Sequence, residues 1–168
     1  YSASDLRNNI VYMPKKPFFL QGTIMDNLKL GQNEISDLEV IEVCKKVGIH
    51  SDIQKLEKGY YELIESGGEN FSSGQKQKLG FVRVLLKKAD IVLLDEVTSD
   101  LDGEAERQIC NQMEEIAKKA IVLNIAHKPE SIRRSKKVFF IQGGKIVAEG
   151  THKALMKNCV DYKKIFAN

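Results

Sequence analysis

The sequence is short of several things that would have assigned it quickly. Cysteine is scarce: Cys44, Cys110 and Cys159 are odd in number, far apart and match no metal-ligand spacing, which leaves reduced, partly buried thiols of a reducing compartment. No apolar run approaches the ~18 residues of a membrane span, and the residues after Tyr1 form no signal peptide. Any membrane role must therefore come through a partner or another segment. Charge of one sign is missing too, since a dispersed net charge of +3 supplies no basic stripe for nucleic acid. Repeats and low-complexity tracts are absent. What remains is ordinary for a globular domain: 168 residues fit one domain or a large part of one, and 42% hydrophobic residues suffice for a core. The opening "YSASDLRNN", without a Met, reads as the cut end of a longer chain.

Along the chain, strand and helix patterns alternate. "IVYM" (Ile10 to Met13) predicts a short strand stopped by Pro14, followed by a loop with an exposed Phe18-Phe19 pair. Thr23 begins a short helix through Leu30, ended by Gly31. Ser36 and Glu39 form a capping-box pattern for a second helix, on which Val40, Val43, Cys44 and Val47 share a face and which Gly48 stops. Up to about residue 70 the chain reads as helical and loopy. A third helix starts at Ser72 or Ser73 and runs to Lys87, with Leu79, Val82 and Leu86 inward. The strand Ile91–Leu94 follows, then a helix from Asp102 to Lys118 and a second buried strand in "AIVLNIA". "VFFIQGGKIVAEG" predicts a hairpin turning at Gly143-Gly144, and two short helices close the chain. The order implies an α/β fold with a mainly parallel sheet, an inserted helical lobe and an antiparallel tail.

"IVLLDEVTSDLD" drives apolar residues straight into Asp95 and Glu96. A buried strand with acids at its carboxyl end faces the crevice where α/β sheets bind ligands. There Asp95 can hold Mg²⁺ through water and Glu96 can take a proton from an attacking water. Such chemistry calls for a phosphate loop, G-x-x-x-x-G-K-[ST]. The sequence has none: its one Gly-Lys pair, Gly144-Lys145, precedes Ile146 in the hairpin. "ENFSSGQKQKL" places Ser72, Ser73 and Gly74 at a helix start, where N–H groups and the helix dipole favour an anion. The same residues also satisfy a plain cap, with Ser72 and Gln75 as a capping box. His127 ends the second strand and faces the same crevice, or serves structure alone; His50 and His152 read as surface residues. Asp100 and Asp102 also fit helix capping.

The order and spacing of these pieces resemble the ATP-binding cassette (ABC) family over nearly the whole chain. "FSSGQ" is similar to its signature motif, "IVLLDE" to Walker B, "TSDLD" to the D-loop and "IAHKP" to the switch-histidine loop, while "YMPKKPFF" stands in the place of the Q-loop. "GTIMDNLKLG" and "GGENFSSGQKQKL" look most like exporters, leaning towards bacterial peptide or bacteriocin exporters. The resemblance implies the P-loop-NTPase-like ABC ATPase fold, with residues 1–168 forming the C-terminal portion of one nucleotide-binding domain. About 20–88 would be the helical lobe with Q-loop exit and signature, and 89–168 would carry Walker B, D-loop, switch histidine and C-terminal elements. It implies Glu96 as catalytic carboxylate, Asp95 as the Mg²⁺ residue and His127 as the sensor of the γ-phosphate. Ser72, Ser73, Gly74 and Gln75 would touch ATP held by a second nucleotide-binding domain, paired head to tail, with Ser99, Asp100 and Asp102 lining that interface. Phe18-Phe19 and the helical lobe would meet the coupling helices of a transmembrane domain, at the cytoplasmic face of a bacterial plasma membrane. Nucleic acid is not among the implied partners.

Three features depart from the family. The phosphate loop and the adenine-stacking aromatic are absent, because they would precede Tyr1. Lys15 occupies the Q-loop glutamine's place, and an ammonium, having no lone pair, cannot ligate Mg²⁺. Ser73 replaces a signature glycine, adding either a hydrogen bond or crowding. The leading expectation is an exporter ATPase domain, inactive as this chain alone. A degenerate cassette lending its signature face to a competent partner is the alternative: Lys15 favours it, Glu96 and His127 oppose it. A soluble cassette ATPase of chromosome maintenance fits poorly, since no heptads separate Q-loop from signature.

Overall fold

The unbroken apolar run at 91–94 becomes the centre of a three-stranded parallel sheet. In the computed structural model, which describes residues 2, 6, 8–32 and 34–166, β4 (Ile91–Asp95) lies between β1 (Ile10–Met13) and β5 (Ile121–Ile125). Ile10, Ile91 and Ile121 stand abreast, as do Tyr12, Leu93 and Leu123. One face is core, where Met13, Val92 and Leu94 cluster with Leu79, Val82 and Leu86 of α4 (Ser73–Lys87). The other face is open. Tyr12, Ile121, Leu123 and Ile125 are 58%, 60%, 54% and 59% exposed. The expectation of a wholly buried second strand therefore fails for β5: its residues alternate, because cover exists on one side only.

Between β1 and β4 the chain builds the helical lobe. Thr23 caps α1 (Ile24–Lys29) in a complete capping box with Asp26, and the helix closes on Leu30 in the left-handed region, one residue before the Gly31 expected to end it. Ser36 caps α2 (Asp37–Val47), but only half of the expected box forms: Ser36 accepts from the Glu39 N–H, whereas the Glu39 carboxylate pairs with Lys88 at 2.7 Å. Val40, Cys44 and Val47 are buried as the periodicity predicts, and Gly48 closes the helix. A short α3 (His50–Gln54) follows. The lobe is less loopy than expected, since β2 (Gly22–Thr23) pairs antiparallel with β3 (Leu63–Ile64). His50 is not a plain surface residue either: its Nδ1 lies 2.8 Å from the Tyr60 hydroxyl. Asp102 caps α5 (Gly103–Ile116), which buries Ala105, Ile109 and Cys110.

The chain divides into two compact units, Tyr1–Ala126 and His127–Asn168. The second holds α6 (Pro129–Arg133) and the hairpin of β6 (Val138–Gln142) and β7 (Lys145–Gly150). Gly143 and Gly144 both have positive φ, 58° and 75°, as the two-residue turn that matches strand twist requires. The unit ends in α7 (His152–Asn158) and α8 (Val160–Phe166), where Tyr162 is 1% exposed and its hydroxyl lies 2.8 Å from His152 Nδ1. His152 is thus a packing residue, contrary to the surface reading. Among the described residues no helix is long and apolar enough to cross a membrane.

Candidate functional site

The site grows from the carboxyl end of β4. Asp95 is the last strand residue and falls on the open face, with the Tyr12 hydroxyl 3.4 Å from its Oδ2. At Glu96 the chain turns: its φ is +49°, in the left-handed region that residues with side chains rarely adopt. The backbone is held there from both sides, because Glu96 N–H donates to Ile125 C=O at 2.9 Å and Glu96 C=O accepts from Ser99 N–H at 3.0 Å. The side chain is turned to Lys15, whose Nζ lies 2.5 Å from Glu96 Oε2. This contact raises the Lys15 pKa above its usual 10.5, through the hydrogen bond and charge of Glu96, with smaller contributions from Asp100 and Asp95. Lys15 therefore stays an ammonium throughout the physiological range. Its side chain is half exposed, so solvent weakens the pairing.

The signature-like turn lies at the start of α4. Ser72 is the N-cap: its Oγ accepts from Gln75 N–H at 3.2 Å, and Gln75 Oε1 accepts from Ser72 N–H at 3.0 Å. The capping box is thus realised, with Ser72 and Ser73 exposed at the helix start. A Cβ added at Gly74 would stand 3.1 Å from Asp100 C=O, so this turn packs directly on the segment after Glu96. In that segment Ser99 Oγ–H donates to Asp100 Oδ1 at 3.4 Å. Asp102 caps α5, accepting from Glu104 and Ala105 N–H at 3.1 and 2.8 Å. The structure therefore brings Asp95, Glu96, Lys15, Ser99, Asp100 and the Ser72–Gln75 turn into one region of the first unit. His127 is exposed at the head of the second unit, two residues past β5.

The loop between β1 and α1 is anchored by a residue that sequence reasoning missed. The Arg83 guanidinium donates to Phe18 C=O at 2.6 Å, Asn27 C=O at 2.8 Å and Asn27 Oδ1 at 2.9 Å, with Cζ 4.5 Å from the centre of the Phe19 ring. Burial lowers its pKa to about 10. Phe19 is consequently buried while Phe18 remains exposed, which corrects the expectation of an exposed pair. Gln77 was missed as well. It is buried on α4, where a polar residue interrupts a helix face otherwise made of Phe81 and Val84. That interruption was the available signal.

Comparison with known proteins gives a consistent picture. The family model described as "ABC transporter" matches residues 1–99. A putative export ATP-binding/permease protein of Rickettsia typhi is 37% identical over 162 residues, covering 96% of this chain and 28% of that protein. An ABC multidrug transporter of Trichophyton rubrum is 35% identical over 165 residues, covering 96% of this chain but 12% of its own length. The solved structure of a bacterial Atm1-family ABC exporter with ATP bound superposes with a TM-score of 0.92 at 28% identity, covering 98% of this chain and 29% of the exporter chain. The chain thus spans between about an eighth and three tenths of the length of these relatives.

Proposed function

Because this chain belongs to the ABC transporter family, we propose that it works as part of an ATP-binding and ATP-hydrolysing domain that drives export across a membrane. The observation that carries the reading is Glu96, set just beyond Asp95 at the mouth of the parallel sheet and held at φ +49°. In this role Glu96 accepts a proton from the water that attacks the γ-phosphate, and His127 acts as a sensor of the γ-phosphate. Ser72, Ser73, Gly74 and Gln75 touch ATP bound to a second nucleotide-binding domain paired head to tail, and Ser99, Asp100 and Asp102 line the interface. The helical lobe, about 20–88, and Phe18 meet a transmembrane domain, while 89–168 carry the hydrolytic residues. The location that follows is the cytoplasmic face of a bacterial plasma membrane.

Mg²⁺ fits the donor set. Asp95 offers a hard oxygen ligand at the carboxyl end of β4. That suits an ion which keeps its waters and takes other ligands from phosphates. When bound it would neutralise charge on the phosphates; Asp95 would hold it through water. Lys15 adds positive charge beside Glu96 but no metal ligand. With no G-x-x-x-x-G-K-[ST] in its sequence, the 168-residue chain by itself does not hydrolyse ATP on this reading.

A second reading, favoured by the Lys15–Glu96 ion pair, is a non-catalytic cassette that supplies its signature face to another subunit. Turnover by the full-length gene product separates the two. Glu96→Gln is expected to lower it by about 10²–10⁴-fold, the usual worth of a general base, with ATP affinity little changed. Near-wild-type turnover in that variant removes Glu96 from the catalytic role.

A further inference from the structure

We propose that Gln77 is the positioning residue of this site, fixing the backbone of Glu96 and joining it to the signature-like turn. This rests on the reading of Glu96 as general base. Gln77 is 1% exposed, and its carboxamide reaches across to the segment after β4. Nε2 donates to Ser99 Oγ at 2.9 Å and approaches Glu96 C=O at 3.4 Å, while Oε1 accepts from Asp100 N–H at 3.1 Å. One planar group therefore holds three successive points of the turn that begins at Glu96. The pattern needs donors and an acceptor on one side chain: a glutamate lacks the donors, and an apolar residue lacks both.

Two further observations make the clamp more than a satisfied buried amide. Glu96 sits in the left-handed region, a conformation that persists at a residue with a side chain only where its surroundings over-determine it. Gln77 adds a second donor to the carbonyl that already accepts from Ser99 N–H. The same helix also packs on the segment at its first turn, where a Cβ at Gly74 would come within 3.1 Å of Asp100 C=O, a tight fit. Glu96, Ser99–Asp100 and the Ser72–Gln75 turn are thus tied together through α4. A displacement of the turn is passed to the carboxylate through Gln77.

The test is a double-mutant cycle on ATP turnover by the full-length gene product, with Gln77→Met and Glu96→Gln. Met keeps the length and buries well but makes none of the three bonds. Gln77→Met is expected to lower kcat about 10–100-fold, as misplacement of a reacting group does, with KM for ATP within about threefold. In the Glu96→Gln background it should change the residual rate less than about twofold, because its effect runs through Glu96. An undiminished loss in that background, a loss confined to KM, or an unchanged kcat overturns the proposal. Should Glu96→Gln alone retain wild-type kcat, the general-base reading fails and Gln77 positions no catalytic group. If the Met variant does not fold, Ser99→Ala, which removes the shortest of the three bonds, replaces it: a several-fold fall in kcat absent from the Glu96→Gln background supports the clamp, and an equal fall in both backgrounds overturns it.

Discussion

At the scale of single residues, the Lys15–Glu96 ion pair is the contact that bears most directly on the proposed base. The Lys15 ammonium engages Glu96 Oε2, so on the proposed reading the carboxylate that would accept a proton is first held by a cation. The pair is half exposed on the lysine side, which caps what it is worth. Lys15→Gln should therefore raise turnover of the full-length gene product by only about two- to fivefold, the range of an exposed ion pair. A fall of more than tenfold in steady-state ATPase assays would show instead that hydrolysis requires the ammonium. If the wild type were silent and Lys15→Gln active, the non-catalytic reading would hold for the natural sequence. Little of this was legible beforehand. Asp95 and Glu96 stood out because carboxylates ending an apolar strand are conspicuous, and the spacing of the motifs supplied the rest. That Lys15 meets Glu96 could not be read, since the two are joined only by the pairing of β1 with β4.

At the scale of elements, α4 is the piece on which the site is mounted. It packs so closely on the loop carrying Lys15 that a Cβ at Gly80 would lie 2.6 Å from Pro17 Cγ and 3.0 Å from Met13 Cε. Gly80→Ala would gain helix propensity but force that loop away, with a net loss of about 1–3 kcal/mol typical of overpacking. Chemical denaturation of wild type and variant measures it; an unchanged midpoint would mean the loop yields freely. The helix starts were readable because Thr23, Ser36, Ser72 and Asp102 each declare a cap through their own side chains. Phe19 was not, because two adjacent aromatics look alike until Arg83, over sixty residues on, selects one of them. The strands β2 and β3 were invisible for a similar reason: two residues carry no periodicity, and only their partner makes them strands.

At the scale of the whole molecule, the open face of the sheet dominates behaviour. Ile121, Leu123 and Ile125 lie side by side on β5, a strand whose outer edge has no partner among the described residues. Each large apolar side chain left in water forgoes about 1.5–3 kcal/mol, against a net stability of about 5–15 kcal/mol for a domain. An unpaired edge also invites another chain. The 168-residue chain by itself is thus expected to self-associate, and sedimentation velocity should show species beyond the monomer that shrink on Leu123→Lys. A dilute, cooperatively melting monomer would contradict this. The topology of the same sheet has a kinetic side. β1 and β4 are hydrogen-bonded neighbours, yet the helical lobe intervenes, so about 80 residues of chain must be looped before they meet. Closure over that length adds little to the equilibrium cost but slows the search, as pairings remote in sequence do. Lys15, carried just beyond β1, depends on this long-range pairing to meet Glu96, and is expected to reach it later than the contacts made within the lobe.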